Sequence, residues 1–377
     1  MNDKILLRKP YVGRREQRFV SDALASGWVA PAGPDLTGFE ADLASELGVS
    51  PDNVLCLSSG TAALQLGLIE LGVTAGDDVI VQTATFAATA FAVAHIGANP
   101  VFCDVDEITG NLCPERLEFC LRQRALSNNL PAAVVPVDLF GYAADYDSID
   151  AVCKQFGVPV LQDAAEALGT FSQGKAAATH GNLGVLSFNG NKIITTSGGG
   201  ALVGPAETLA HARHLSTQAR DNATWYEHTE IGFNYRMSNI LAAVGRAQLE
   251  RLGDFIETRR RAHDYYVDAL PHVDWFPEGV TDQWNHWLSV ALLPEGTDAI
   301  TVCQELQSKG IEARPYWKPM HMQPVFAKNE TIGGETAEMF FRRGICLPSG
   351  VALNLNELNY VATSLSAAVR ESKLMSA

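Results

Sequence analysis

The chain has 377 residues, of which 47% are apolar and 19% are charged, and this size suits a large globular domain followed by a smaller one. We expect no membrane insertion, because no apolar run is long enough to span a bilayer. The net charge of −15 argues against nucleic-acid binding, which needs a basic face to neutralise phosphates. An anionic ligand would therefore need a local cluster of donors.

The N-terminal sequence and the cysteines indicate the compartment. The chain begins without the continuous apolar stretch that a secretory signal requires. Its seven cysteines are odd in number, form no C-x-x-C pair and mostly lie in apolar stretches. We interpret them as reduced thiols of the core and predict a cytoplasmic protein.

From about residue 53 the sequence alternates short apolar runs with helix-like segments. Five runs are typical of strands, namely NVLCLSSG, DDVIVQTATF, NPVFCDVD, AAVVPVDLFG and VPVLQDAAEALG. Their near-continuous Val, Ile and Leu indicate strands buried on both faces, as in a parallel sheet whose crossovers are helices. The sequence therefore predicts an α/β domain, to which LGVLSF and GGGALVG add further strands.

Near residue 236 the pattern changes to a long amphipathic helix with a charged end. Apolar residues recur there at helical spacing, which indicates a connector that leads into a second domain. We predict that the domain boundary lies within this helix, with a large domain at 1–250 and a smaller C-terminal domain at 251–377.

Polar residues follow the predicted strands at the sheet edge where α/β proteins bind ligands. Ser59, Gly60 and Thr61 begin a helix of small residues, whose free amides and hydroxyls would bind a phosphate, although ordinary N-capping explains them as well. Phe86 lies where the next strand gives way to a helix. Its ring could stack on a planar ligand, whereas a phenylalanine taken alone is more often part of the core.

Charged residues occupy the later loops. Asp163 follows the run VPVL, and a buried acid there needs a cationic ring nitrogen, a helix cap or a salt bridge as its partner. Glu166 would face the same way if a helical turn begins at this point. Lys192, in SFNGNKIITTSGGG, is a solvated residue, an anion clamp or a nucleophile that forms a Schiff base. Ser187 could reach the same phosphate, and Arg236 is either an anion ligand or a surface arginine.

Together these loops contain the groups that one cofactor needs. Pyridoxal 5'-phosphate requires a lysine for its aldehyde, an acid for its pyridine nitrogen, an aromatic ring against its face and a phosphate cup. Lys192, Asp163 and Phe86 would supply the first three. The phosphate cup would come from Ser59, Gly60, Thr61 and Ser187.

The chain resembles, over nearly its whole length, the DegT/DnrJ/EryC1/StrS family of sugar aminotransferases. The matching stretches, in order, are SSGTAAL, TFAAT, FCDVD, PVDLFG, QDAAEALG, SFNGNKIITTSGGG and GFNYRMSN. The resemblance implies the fold-type-I architecture of aspartate aminotransferase, with a large, mixed but mostly parallel sheet and a smaller C-terminal α+β domain.

The resemblance also implies roles for individual residues. Lys192 would carry the cofactor, Asp163 would pair with its pyridine nitrogen, and Glu166 would lie near its 3-oxygen. Asn234 would reach the phosphate bound by the neighbouring subunit, which makes the protein a homodimer with shared active sites. The resemblance places five residues around the nucleotide sugar: Pro31, Arg236, Trp317, Lys318 and His321.

Four further stretches look like one branch of that family: SGWVAPAGP, LSTQARDN, RPYWKPMHMQPVF and GICLPSG. That branch moves an amino group from L-glutamate to UDP-4-keto-6-deoxy-N-acetylglucosamine. The product is UDP-4-amino-4,6-dideoxy-N-acetylglucosamine, a bacillosamine precursor used in polysaccharide biosynthesis. Two positions depart from the family: Gln162 replaces a usual glutamate and His286 a frequent arginine.

Other functions remain open at this point. A GDP-linked 4-keto-6-deoxymannose or a 3-keto sugar is the nearest alternative substrate. Dehydratases of the family carry histidine at the lysine position, so Lys192 favours transamination. A regulatory protein that binds the cofactor or a nucleotide sugar without catalysis is an alternative of a different class.

Overall fold

The chain was analysed as a computed structural model, which describes residues 4–276 and 282–376. Fourteen strands run through these residues: β1 Val54–Leu57, β2 Asp78–Gln82, β3 Asn99–Cys103, β4 Ala133–Val135, β5 Leu161–Asp163, β6 Phe171–Ser172, β7 Lys175–Ala176, β8 Leu183–Ser187, β9 Gly200–Val203, β10 Asp274–Phe276, β11 Ser289–Leu292, β12 Arg314–Pro315, β13 Thr331–Ile332 and β14 Gly344–Leu347.

Twelve α-helices occur in the same described ranges: α1 Arg14–Ser26, α2 Pro34–Leu47, α3 Gly60–Glu70, α4 Ala87–Ile96, α5 Pro114–Leu126, α6 Tyr146–Phe156, α7 Ala206–Ser216, α8 Asn239–Leu249, α9 Leu252–Ala269, α10 Ala299–Ser308, α11 Glu335–Arg343 and α12 Leu355–Ser376. Short 3-10 turns lie at Pro51–Asn53, Leu139–Gly141, Met320–Met322 and Pro324–Phe326. None of the described helices is both long and apolar enough to cross a membrane.

The large domain is built on a mixed sheet with the strand order β13-β3-β2-β4-β5-β8-β9-β1. The bridges between Val134 and Val160 and between Val137 and Asp163 connect its two halves. All neighbouring strands are parallel except β9, which is antiparallel to both β8 and β1. The predicted α/β domain with a mostly parallel sheet is therefore confirmed.

Burial on both faces explains why these strands read as continuous apolar runs. On β2, Val79 and Val81 pack into the core beneath α3 and α4, whereas Ile80 packs against α5 and α6. Successive residues of a strand point to opposite faces, so helices on both sides require apolar residues at every position. The carboxyl ends of the parallel strands are thereby left at one edge of the sheet.

The predicted long helix is two helices in the structure. α8 ends at Leu249 and α9 begins at Leu252, and Arg251 between them has a non-helical backbone. Here α8 packs on α1 and α2, whereas α9 packs on α12. The change of packing partners requires a change of direction, which the continuous apolar spacing did not reveal.

The C-terminal part contains an antiparallel sheet, β10-β11-β14-β12, covered by α9, α10 and α12. Two elements cross the predicted boundary at residue 250. Ile5 forms a bridge with Ile311, and the short strand β13 pairs with β3 of the large sheet. The division into 1–250 and 251–377 stays a prediction. All seven cysteines have free thiols, and only Cys113 is not fully buried.

Candidate active site

A cavity of about 240 Å³ opens where β1, β2, β5 and β8 end. It brings together residues that are far apart in the sequence, because parallel strands deliver their following loops to one edge. Nine predicted site residues line it: Ser59, Gly60, Thr61, Phe86, Asp163, Glu166, Ser187, Lys192 and Trp317.

One end of the cavity is formed by the first turn of α3. Ser59 caps this helix, since its hydroxyl accepts a hydrogen bond from the Ala62 amide at 3.0 Å. The amides of Gly60 and Thr61 have no acceptor within the helix and can donate outward. A Cβ at Gly60 would lie 3.0 Å from the Cβ of Ser187, so glycine lets that serine approach the helix start. This arrangement of amides and hydroxyls fits a phosphate.

Asp163 lies at the buried end of β5. Its Oδ2 accepts a hydrogen bond from the Thr89 hydroxyl at 2.7 Å, and its Oδ1 accepts one from the Ala165 amide at 3.1 Å. Burial raises the pKa of the Asp163 carboxyl, because a charge without a full counter-charge is poorly solvated there. A protonated ring nitrogen would supply that counter-charge.

Lys192 projects into the cavity from the loop between β8 and β9. Its Nζ lies 3.3 Å from Oε1 of Glu166 and 4.7 Å from the centre of the Trp287 ring. The second oxygen of Glu166 accepts a hydrogen bond from the Phe140 amide at 2.8 Å. The Lys192 side chain is only 10% exposed, so an aldehyde bound beside it would react with an amine shielded from bulk water.

The glycines after Lys192 have a steric function. A Cβ at Gly200, the first residue of β9, would lie 2.5 Å from the Gly60 amide nitrogen. A side chain at this position would therefore displace the start of α3. The tight approach places the lysine loop and the phosphate-binding turn side by side.

Five predicted residues do not line the cavity. The Arg236 guanidinium donates to Oε1 of Glu40 and to the Cys56 carbonyl, both at 2.7 Å. His321 contacts the Thr83 hydroxyl at 2.6 Å through Nδ1. Lys318 is half-buried, whereas Pro31 and Asn234 are exposed. The roles of these five residues stay predictions.

The residues that line the cavity but were not predicted from the sequence include Arg8, Thr89, Asn191 and Trp287. Thr89 lies one helical turn after Phe86 in TFAAT, so that spacing was a usable signal. Trp287 follows His286, which was noted only as a departure from the family. Arg8 precedes the first helix and has no local signal.

The two departures lie behind the cavity. The Gln162 amide donates to Oδ2 of Asp138 at 2.7 Å, and burial raises the pKa of Asp138 to about 7. His286 packs against Trp284, with ring centres 4.1 Å apart, and burial lowers its pKa to about 3. Neither Gln162 nor His286 lines the cavity, so both act on it only through their neighbours.

Comparison with known proteins identifies the family. The profile of the DegT/DnrJ/EryC1/StrS aminotransferase family matches residues 10–366. The chain belongs to this family. Among its relatives, EpsN of Bacillus subtilis, named as a pyridoxal phosphate-dependent aminotransferase, is 45% identical over 95% of this chain and 94% of its own.

Two further matches extend over nearly the same length. GDP-perosamine synthase of Caulobacter vibrioides is 34% identical, covering 96% of this chain and 97% of its own. A crystal structure of a family aminotransferase from Brucella abortus matches with a TM-score of 0.86 at 30% identity, covering 94% of this chain and 95% of that one. The fold-type-I architecture and the pyridoxal phosphate cofactor predicted from the sequence are confirmed.

Proposed function

We propose that this aminotransferase moves an amino group from L-glutamate to C4 of UDP-4-keto-6-deoxy-N-acetylglucosamine. The catalytic part of this proposal rests on one observation. Lys192, Asp163 and the first turn of α3 line the same cavity. The cofactor, when bound, supplies an electron sink that lets the carbon bearing the amino group lose its proton. The side chains of the protein provide the proton transfer and the charge stabilisation.

Lys192 is the proposed acid–base group. Its amine lies beside Glu166 and can move a proton from one carbon to another of a molecule bound next to it. The Glu166 carboxylate and the Trp287 face hold the amine in the cavity at 3.3 and 4.7 Å. Because the amine is already held in position, proton transfer needs no further approach of the reacting groups.

Asp163 has a different proposed task. Its carboxylate stabilises positive charge at the position of a ring nitrogen, since both oxygens are already oriented by Thr89 and Ala165. Because the Thr89 hydroxyl donates its proton to Asp163, it accepts a hydrogen bond from the Thr85 hydroxyl at 2.7 Å, which extends the network. Oriented groups of this kind act without reorganising during the reaction.

The choice of sugar rests on the resemblance to one branch of the family and not on the geometry of the cavity. The stretches RPYWKPMHMQPVF and GICLPSG support a UDP-linked 4-keto sugar, and the former contains Trp317 at the cavity wall. The similarity to GDP-perosamine synthase supports a GDP-linked 4-keto sugar as the second candidate. Because hydroxyl and acetamido groups are selected by hydrogen bonds, both candidates require a direct test.

A homodimer is also proposed. Large apolar side chains are exposed on the described surface, including Ile231 at 93%, Tyr226 at 80% and Phe86 at 61%. Ile231 lies three residues before the exposed Asn234 that is predicted to serve the partner's cofactor. Exposed apolar surface next to a predicted shared site supports an interface there. Light scattering coupled to size-exclusion chromatography would test this, since a monomer of 40.6 kDa would contradict it.

The substrate test is a screen of UDP-, GDP- and dTDP-linked 3-keto and 4-keto sugars, with glutamate as donor and NMR of the product. We expect amination at C4 of the UDP-linked sugar. If glutamate bleaches the cofactor but no sugar in the screen is aminated, the proposed identity of the substrate is contradicted. A protein whose cofactor does not respond to any amino donor would instead support the regulatory alternative.

A further inference from the structure

Arg8 is a cation in the cavity wall that the reaction as described leaves without a role. The backbone on its N-terminal side is fixed to the C-terminal part of the chain. The Leu7 amide donates to Oε2 of Glu312 at 3.2 Å, and the Leu7 carbonyl accepts from the Ser349 amide at 2.9 Å. Two long-range contacts of the preceding residue thus fix the position of Arg8.

Aromatic rings hold the guanidinium of Arg8. Its Cζ lies 4.6 Å from the centre of the Trp287 ring and 5.6 Å from that of Trp317. Stacking of this kind orients a guanidinium while leaving its edge free to donate hydrogen bonds. The guanidinium therefore remains available to donate hydrogen bonds to a ligand in the cavity that Arg8 lines.

Those donors lack an acceptor. Nη1 of Arg8 and Nε1 of Trp317 are both buried and have no hydrogen-bond partner among the described residues. Burial lowers the pKa of the Arg8 guanidinium, yet an arginine stays protonated in proteins. A buried, charged donor without an acceptor is unfavourable, so an anionic ligand would be stabilised here.

The neighbouring carboxylates already have partners. Glu166 accepts hydrogen bonds from Lys192 at 3.3 Å and from the Phe140 amide at 2.8 Å. Glu312 accepts hydrogen bonds from the Leu7 amide and from Arg314, at 3.2 and 3.0 Å. A ligand carboxylate is thus the acceptor that would complete the site, because its two oxygens match the guanidinium fork.

The position of Arg8 relative to Lys192 favours the amino donor as the source of that carboxylate. Both cations lie against the Trp287 ring, at 4.6 and 4.7 Å from its centre. An amino-acid donor must place its nitrogen near the Lys192 amine. A dicarboxylic donor carries one carboxylate on the carbon next to that nitrogen and another at the end of its side chain. The keto sugar, by contrast, is uncharged around its reacting carbon.

We propose that Arg8, assisted by the indole N–H of Trp317, binds a carboxylate of the amino donor. This inference rests on the proposed donor, a dicarboxylic amino acid. It assigns Arg8 to the first half of the reaction, in which the donor is consumed, and not to amination of the sugar.

The test uses glutarate, a dicarboxylate that lacks an amino group and so binds without reacting. Its dissociation constant for the cofactor-loaded enzyme is measured by calorimetry for wild type, Arg8→Gln and Arg8→Lys. We expect Arg8→Gln to weaken binding about 10- to 100-fold, the usual range for a lost charge-assisted hydrogen bond. Arg8→Lys should be intermediate, because an ammonium lacks the fork. Lys9→Gln, which removes an exposed charge at the next position, should bind as wild type does.

Single-turnover absorbance measurements separate donor from sugar. Arg8→Gln should slow the reaction with glutamate and leave the reaction of the aminated enzyme with keto sugar within about threefold, a small change in barrier. Unchanged glutarate affinity would overturn the proposal, and so would an equal loss in the sugar reaction, which would assign Arg8 to the sugar's diphosphate. If no keto sugar reacts with wild type but glutarate still depends on Arg8, the proposed substrate fails and this inference stands.

Discussion

Replacing Gln162 by glutamate should destabilise the protein in a pH-dependent way. Gln162 is fully buried; its amide donates to Oδ2 of Asp138 at 2.7 Å, and its Oε1 accepts from the His180 amide at 3.0 Å. Glutamate keeps the acceptor for His180 but replaces the donor with a second carboxyl oxygen. Two buried carboxylates cannot both be charged at this distance, so one must hold a proton.

The size of the effect follows from the free energy needed to protonate one carboxyl. Because the pKa of Asp138 is about 7 in wild type, one proton is already bound at pH 5.5, and each pH unit above 7 adds about 1.4 kcal/mol to the cost of keeping it in the variant. Relative to wild type, this cost is therefore near zero at pH 5.5, about 0.8 kcal/mol at pH 7.5 and about 2 kcal/mol at pH 8.5. The sign is fixed because the native state would then bind more protons than the unfolded state, so stability falls as the pH rises.

Chemical denaturation at pH 5.5 and 8.5, at constant protein concentration, measures this difference in the free energy of unfolding. The matched control is Gln17→Glu, the same change at an exposed position of α1, which should differ little from wild type at either pH. Equal destabilisation of Gln162→Glu at the two pH values would show that the two carboxyls do not share a proton. The stability of wild type should also decline as the pH rises towards 7, since the raised pKa of Asp138, about 7, favours its protonated form in the native state.

Two further predictions concern the cofactor site. Gly200→Ala should weaken cofactor affinity at least about tenfold by moving the start of α3, because the added Cβ would lie 2.5 Å from the Gly60 nitrogen. Titration of the cofactor measures this, and Gly190→Ala, which lies outside the cavity lining and whose Cβ would have its nearest neighbour at 4.0 Å, should bind normally. Thr89→Val removes the hydroxyl that donates to Asp163 at 2.7 Å and should lower kcat about 3- to 10-fold, in proportion to one hydrogen bond of about 1 kcal/mol. Thr89→Ser should restore the rate, and a valine variant with wild-type kcat would exclude Thr89 as a positioning residue.

The sequence allowed the sheet and the polar residues at its strand ends to be predicted for one physical reason. Strands buried on both faces must be apolar throughout, so their ends are marked by the first polar residue. Asp163, Ser187 and the Ser59 to Thr61 turn all follow such runs, and the structure places them around one cavity. Lys192 lies in the loop just beyond β8, which the same change from apolar to polar residues indicates.

Long-range packing explains what the sequence did not reveal. Arg236 was predicted as an anion ligand or a surface arginine, and neither interpretation included the pairing of its guanidinium with Glu40, 196 residues away. Arg8 and Trp287 meet in the cavity from opposite ends of the chain. No local spacing reports such a contact, because it depends on how the C-terminal part packs against the large sheet. The break between α8 and α9 was missed for the same reason.

The proposed attachment of the cofactor to Lys192 can be tested directly. Borohydride reduction of the loaded enzyme followed by peptide mass spectrometry should find the cofactor on the Lys192 peptide. Lys192→Ala should retain no label there and should lose at least about 1,000-fold in turnover, within the range of general acid–base catalysis. Lys154→Ala, at a side chain that is 79% exposed, should behave as wild type. Label on another lysine, or normal turnover by Lys192→Ala, would contradict the account.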